Sequence, residues 1–353
     1  MRGKFLLLLG SIFFSVILSS CSNHDPVSPA DNLRVRKNVK FLTAAERSDF
    51  VQAVLMLKNT SSPYQPALSY YDQFVSWHTN AFYCDTMAAH MGPAFCPWHR
   101  QFLLMFENAL RSVSGKDVTI PYWDWTDVES TNSVFMDDFM GGNGDPSQNY
   151  ALMSGPFRKD NWTLRIFDQL AAYPYHIPYL IRSMGTFPNQ PVLPTAAHVT
   201  EALSINVYDA APYNSTVNPL AGFRNYLEGW RGCTSEACQD TLMNPICPGL
   251  SQSDMHNRVH LWVGGSVGSG DTVGTIVLNS SPNDPVFWLH HANVDRLWAK
   301  WINAHGEVYV PVSGGPMGHN LNDMMWPYMT YGMHVTPKDM LSDQKLGYKY
   351  QEE

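Results

Sequence analysis

Apolar positions along this chain recur mostly at helical spacing. Thr43-Ala44-Ala45-Glu46 is a capping box, and Phe50, Val51, Val54, Leu55 and Leu57 then fall on one helix face. A second helix is expected over 66–82. Phe102, Met105, Phe106, Ala109 and Leu110 recur at i, i+3, i+4, i+7 and i+8, which predicts a third helix running on from about Trp98. Residues 253–263 and 285–303 read as two more. Pro285 suits the first turn of the last helix and Asp284 its cap. The stretches between are long and rich in Pro, Gly and Asn, which suits surface loops. The expected class is mainly α: a central four-helix bundle with long loops and little β structure.

Composition narrows this picture. The 353 residues are 44% hydrophobic and 13% aromatic, enough for a sizeable core. The formal net charge of -8 gives no reason to expect a nucleic-acid partner. At the N-terminus, Arg2 and Lys4 precede an apolar run over 5–18, too short for a comfortable membrane span, and then Leu18-Ser19-Ser20-Cys21. That ending resembles a bacterial lipoprotein signal. It implies a signal peptide over 1–21, export, and lipidation of Cys21 as an attachment to the membrane of the cell envelope, on its periplasmic or outer side. Residues 22–35 read as a flexible tether, and 36–353 as one catalytic domain. Five further cysteines, Cys84, Cys96, Cys233, Cys238 and Cys247, cannot all pair with one another.

Several of the 13 histidines cluster. His256 and His260 are four apart, so a helix puts both imidazoles on one face a turn apart, where they can share a metal ion. A zinc protease would need Glu directly after the first His; Asn257 stands there instead. His290 and His291 lie in the helix expected after Pro285, with Asp295 four beyond His291, where it can orient that imidazole. Upstream, His78 ends the second helix, His90 lies in a loop, and His99 opens the third helix. Sets of neutral imidazoles without a carboxylate suit copper or zinc rather than magnesium or calcium. His24, His176, His198, His305, His319 and His334 lack such a context and read as surface or ordinary core residues.

Together these motifs resemble the tyrosinase family of type 3 copper proteins over nearly the whole mature chain. The first copper motif is matched by His78, His90 and Pro97-Trp98-His99-Arg100 with Phe106-Glu107. The second is matched by His256-Asn-Arg-Val-His260 and by Asp284-Pro-x-Phe-x-x-His-His291 with Asp295. Tyr122-Trp123-Asp124-Trp125 and Leu346-Gly347-Tyr348-Lys349-Tyr350 resemble further segments of the family. The resemblance implies a dicopper centre: His78, His90 and His99 hold one copper ion, and His256, His260 and His291 the other. It makes His290 a neighbour of the ligands, puts Phe287 under the metal pair, and gives Arg100, Glu107 and Asp295 supporting roles.

The same resemblance implies a copper-dependent oxidase that uses O2 to convert small phenols and catechols to o-quinones. Catechol oxidation alone and dioxygen carriage are the alternatives. No lid follows Tyr350 in this sequence, an expectation that favours an open enzyme and leaves room for a separate covering or copper-delivery protein. Phe223-Arg-Asn-Tyr-Leu-Glu228-Gly-Trp matches the family segment whose Glu, with the Asn at position 257, holds a water that deprotonates monophenols. In the bacterial relatives that segment runs almost directly into the second motif; here 231–253 intervene, an expected surface excursion. Cys84 fits no thioether pattern with His90, so a Cys84–Cys96 disulfide and two plain thiols both stand. Leu261 and the Gly/Ser-rich stretch 264–283 suggest a roomy apolar entrance.

Overall fold

The computed structural model describes residues 33–84, 89–168, 176–188, 192–229, 255–268 and 272–351. The lipoprotein-like signal, Cys21, nearly all of the tether, His24, Cys233, Cys238, Cys247 and the excursion before residue 255 lie outside these residues.

The first long helix, α1 (Ala44–Asn59), starts at the expected capping box. The Thr43 hydroxyl accepts the Glu46 N–H, and the Glu46 carboxylate accepts the Thr43 N–H. The second, α2 (Tyr70–Ala81), begins at Ser69, whose side chain caps the Asp72 N–H. It is shorter than expected because the chain before it folds back on itself, with Ser61 bridging to Ser69. The third, α3 (Phe95–Ser114), starts a turn earlier than Trp98. Pro97 sits inside its first turn, where the missing N–H costs nothing, and Gly115 ends it in a left-handed conformation. Short helices α4 (Val128–Val134), α5 (Ala196–Ser204) and α6 (Phe223–Glu228) follow. Then come α7 (Met255–Gly264) and α8 (Val286–His305). The N-cap of α8 is Pro285 rather than the expected Asp284, whose carboxylate accepts the Val286 N–H from one residue further out.

Helices α1, α3 and α8 pack in sequence, and α7 lies against α8. Between α3 and α8, Trp288 stacks on Phe106 with ring planes 3° apart, and Phe102 and Phe74 close around it. β structure among the described residues is slight. Strand β1 (Arg34–Arg36) and the closing strand Tyr348–Tyr350 pair in parallel, and a two-residue ladder joins Ser266–Val267 to Thr272–Val273.

The parallel pair carries a buried ion cluster into the bundle. Arg36 reaches Glu107 of α3 at 2.9 Å and Asp295 of α8 at 3.2 Å; Arg100 of α3 reaches Asp295 at 2.6 Å. The hydroxyls of Tyr348 and Tyr350 donate to the same carboxylate. Burial alone would raise the Asp295 pKa, yet Arg100 and Arg36 hold it below the usual carboxylate range. This corrects the expected role of Asp295. It does not orient His291, whose Nδ1 has no hydrogen-bond partner. Two guanidinium groups and two phenols claim its oxygens instead, and it locks α3, α8 and both chain-end strands together. Arg100 likewise acts in this lock: besides Asp295 it donates to the Met340 carbonyl and lies over the Trp298 ring.

Candidate metal centre

Helices α2, α3, α7 and α8 each aim at least one imidazole at one buried place. His78 lies in the last turn of α2 and His99 in the second turn of α3, while His90 comes from the segment between them. The His78 Nδ1 donates to the Asn279 carbonyl at 2.7 Å, and the His99 Nδ1 to the Phe95 carbonyl at 2.9 Å. A carbonyl can only accept, so each ring carries its proton on Nδ1 and turns a bare Nε2 inward. Neither Nε2 has a partner, nor does the His90 Nδ1.

The second set is tighter. His256 and His260 stand a turn apart on α7, as their spacing requires. The Nε2 of His256 is 3.0 Å from that of His260 and 3.2 Å from that of His291 on α8. The His260 Nδ1 donates to the Ile276 carbonyl at 2.6 Å. The His256 Nδ1 faces the Glu228 carbonyl at 3.2 Å and the Asn257 Oδ1 at 3.0 Å. With the protons of His256 and His260 held on Nδ1, their lone pairs converge, an arrangement a cation relieves. His291 also stacks on His99, with centroids 4.3 Å apart, so the two sets abut. Phe287 lies against both sets, 4.0 Å from His291 and 5.0 Å from His78 by ring centroid.

Burial keeps the rings neutral. It lowers the pKa of His78 to about 3 and that of His260 to about 4, and pushes the other members down as well. Neutral imidazoles are the form that binds a metal. The donors of each set lie within 4.8 Å of one another, close enough to share one ion. All-imidazole donor sets with unpaired inward nitrogens fit copper. His290 belongs to the second cluster by proximity, but it lies flat against His256 with ring planes 13° apart.

Glu228 stays at the centre despite the excursion that follows it. Its backbone carbonyl meets His256, its Oε1 accepts the Met91 N–H at 2.6 Å, and its Oε2 pairs with Arg224 at 2.9 Å. Cys84 and Cys96 are not joined by a disulfide, so that alternative falls. Where it is described, the stretch expected to be a roomy entrance is close-packed at Gly264 and Gly274, while Thr272, Val273, Thr275 and Leu278 line an apolar pocket with Leu164 and Phe167. Gly264 and Gly274 pass so near that a Cβ on Gly274 would come within 2.4 Å of the Gly264 carbonyl. That approach returns the chain so that Ile276 and Asn279 can offer carbonyls to His260 and His78. Sequence reading missed these carbonyls. The glycine pair was the one signal for them. It also missed His319, which is buried beside the His90 segment.

Comparison with known proteins agrees with the site. The family model for the common central domain of tyrosinase matches residues 68–304, which contain every imidazole of both sets. The chain is 41% identical over 317 residues to a tyrosinase of Streptomyces glaucescens, covering 88% of this chain and 96% of that one. It is 35% identical over 338 residues to the grixazone synthase of Streptomyces griseus, covering 89% and 98%. Among solved structures, a polyphenol oxidase of Thermothelomyces thermophila superposes with a TM-score of 0.63 at 24% identity, covering 92% of this chain and 90% of that one, a likeness of fold. A family domain spanning most of the chain, close relatives matched along nearly their whole length and two facing sets of bare imidazole nitrogens place the chain in the tyrosinase family, as a copper-dependent phenol oxidase with a dicopper centre.

Proposed function

We propose that the chain oxidises both monophenols and o-diphenols to o-quinones, with His78, His90 and His99 around one copper ion and His256, His260 and His291 around the other. When bound, copper supplies the activation of O2 and the oxidation of the aromatic ring. The protein has to dispose of protons. A phenol has an ordinary pKa of about 10, so a monophenol needs help to lose its proton near neutrality. Glu228 and Asn257 are the groups placed to hold the water that takes it. The observation that carries this reading is that the Glu228 carbonyl and the Asn257 Oδ1 meet at the His256 Nδ1, so neither residue has been carried away from the second histidine set.

A diphenol-only reading has one observation in its favour. Both Glu228 oxygens already hold protein donors, Met91 N–H and Arg224. A carboxylate has about four acceptor positions, so these two contacts by themselves do not bar a water. Oxygen uptake by the copper-loaded protein with a monophenol and with the matching catechol decides between the two. Uptake with both supports the proposal; uptake with catechol alone makes the chain a catechol oxidase. In the first case Glu228→Gln lowers monophenol turnover by roughly 100-fold and catechol turnover far less. Equal losses remove the water-holding role.

The single catalytic domain over 36–353 is exported and held to the cell envelope through a lipidated Cys21, behind the tether of 22–35. The lipobox-like sequence supports this reading. The mass of the mature N-terminus tests it: an unmodified first residue other than Cys21 excludes the anchor. The depth of the ligand imidazoles supports loading by a copper-delivery partner. Full loading of the folded protein by copper salt alone would remove the need for one.

A further inference from the structure

We propose that His319 is a positioning residue for His90, holding the segment 90–94 in the shape that aims that imidazole at its copper ion. This rests on His90 being a copper ligand, as proposed above. His90 differs from the other ligands in coming from a loop rather than a helix. It also lacks the carbonyl clamp that orients His78 and His99, since its Nδ1 has no partner. Its direction therefore depends on the backbone that carries it and on the stack of its ring against Phe82, with centroids 4.0 Å apart. That backbone is an unfavourable one: Met91 has φ +59°, a left-handed conformation that a non-glycine residue holds only when its surroundings insist.

Three distant side chains do so. Glu228 accepts the Met91 N–H, the Tyr208 hydroxyl donates to the Pro93 carbonyl at 2.6 Å, and His319 accepts the Ala94 N–H on Nδ1 at 3.2 Å. A backbone N–H can only donate, so the His319 Nδ1 bears a lone pair and the tautomer is fixed. The ring is also a wedge. A Cβ on Gly92 would come within 2.5 Å of the His319 Cε1 and 2.7 Å of its Nδ1, so the loop presses its bare glycine against the imidazole. His319 is firmly held in turn. The Asp323 carboxylate accepts the N–H groups of Gly318 and Asn320, and Tyr309 donates to the His319 carbonyl at 2.8 Å. At 4% exposure the ring sits between two braced segments.

The test compares His319→Leu, which removes the acceptor, with His319→Asn, whose Oδ1 falls near the place of Nδ1. Two readouts are used: release of copper to a competing chelator, and hydrogen exchange of the Ala94 amide in the copper-free protein. In His319→Leu, one of the two ions should leave roughly 10-fold faster than in the unaltered protein while the other keeps its rate. The Ala94 amide should lose protection in that variant, and His319→Asn should restore both readouts towards the unaltered values. Unchanged release from His319→Leu, or equal acceleration of both ions, overturns the proposal. If His319→Leu does not fold, Gly92→Ala, which displaces the ring from the other side, is read by the same criteria. His90→Ala separates this from the underlying assignment. If it keeps both ions, His90 is not a ligand; if it loses one while His319→Leu behaves as unaltered, only the positioning role fails.

Discussion

At the scale of the residue, two neighbouring histidines divide between two roles. His290 and His291 are adjacent on α8, so they point about 100° apart around the helix, and one of them faces the metal. His291 brings its Nε2 to 3.2 Å from that of His256, whereas His290 lies flat on the His256 ring at a centroid distance of 5.0 Å. His290 also brings an unpartnered nitrogen within 4.8 Å of the donors of the other three rings, so the choice of His291 rests on its Nε2 contact with His256. Copper content per chain should therefore fall from two ions to about one in His291→Ala and remain at two in His290→Ala, losses of a ligand being far costlier than losses of a neighbour. Copper analysis after dialysis checks this, and the reverse pattern would exchange the two assignments. The i, i+4 rule that linked His256 to His260 failed for His291 and Asp295. Spacing places a carboxylate near a ring without saying what else competes for it, and here Arg36, Arg100, Tyr348 and Tyr350 all do.

Among the elements, legibility followed periodicity. Helices α1, α3 and α8 each bury a broad stripe, and their positions could be read from the chain. The apolar stripe starts at Phe102 and predicts a helix from about Trp98, whereas α3 begins at Phe95, since a proline in the first turn leaves room for helix before it. The two histidine clusters are legible in the sequence because imidazole is a distinctive chemical group and its helical spacing is fixed by geometry. The groups that orient those rings are not. Asn279 and Ile276 act through backbone carbonyls, which every residue has, so side-chain identity carries no trace of the task. His319 meets Ala94 across 225 residues of chain, a contact no local pattern can announce. The 264–283 stretch was read as open because it is rich in glycine. Gly264 and Gly274 serve close approach of two backbones, and the apolar pocket of this stretch is lined instead by Thr272, Val273, Thr275 and Leu278.

Over the whole molecule, the buried imidazoles tie stability to pH. An unfolded histidine titrates near 6.5, whereas burial lowers His78 to about 3 and His260 to about 4 in the folded chain. Between those limits the unfolded state binds more protons than the folded one, so stability rises with pH. The contribution is fully present above about pH 6.5 and is lost as pH falls towards 4 and then 3. At pH 5 His78 and His260 should each have cost about 2 kcal/mol of stability in the copper-free protein, and the other lowered imidazoles act in the same direction. Carboxylates with lowered values, such as Glu46 and Asp295, lose their contribution as pH falls through the ordinary carboxylate range and below it, and the raised Asp343 acts in the opposite sense, so the histidines dominate the interval from pH 7 to 5. Copper binding should behave differently over that interval. In the folded protein the ligands are already neutral at pH 5, so protons scarcely compete with the metal until pH nears 4. Denaturant titrations of the copper-free protein should therefore show a midpoint that falls steeply from pH 7 to 5, while copper affinity of the folded chain stays nearly level. A midpoint that holds steady as pH drops, or an affinity that weakens in parallel with it, would mean that the imidazoles are not held neutral by the fold.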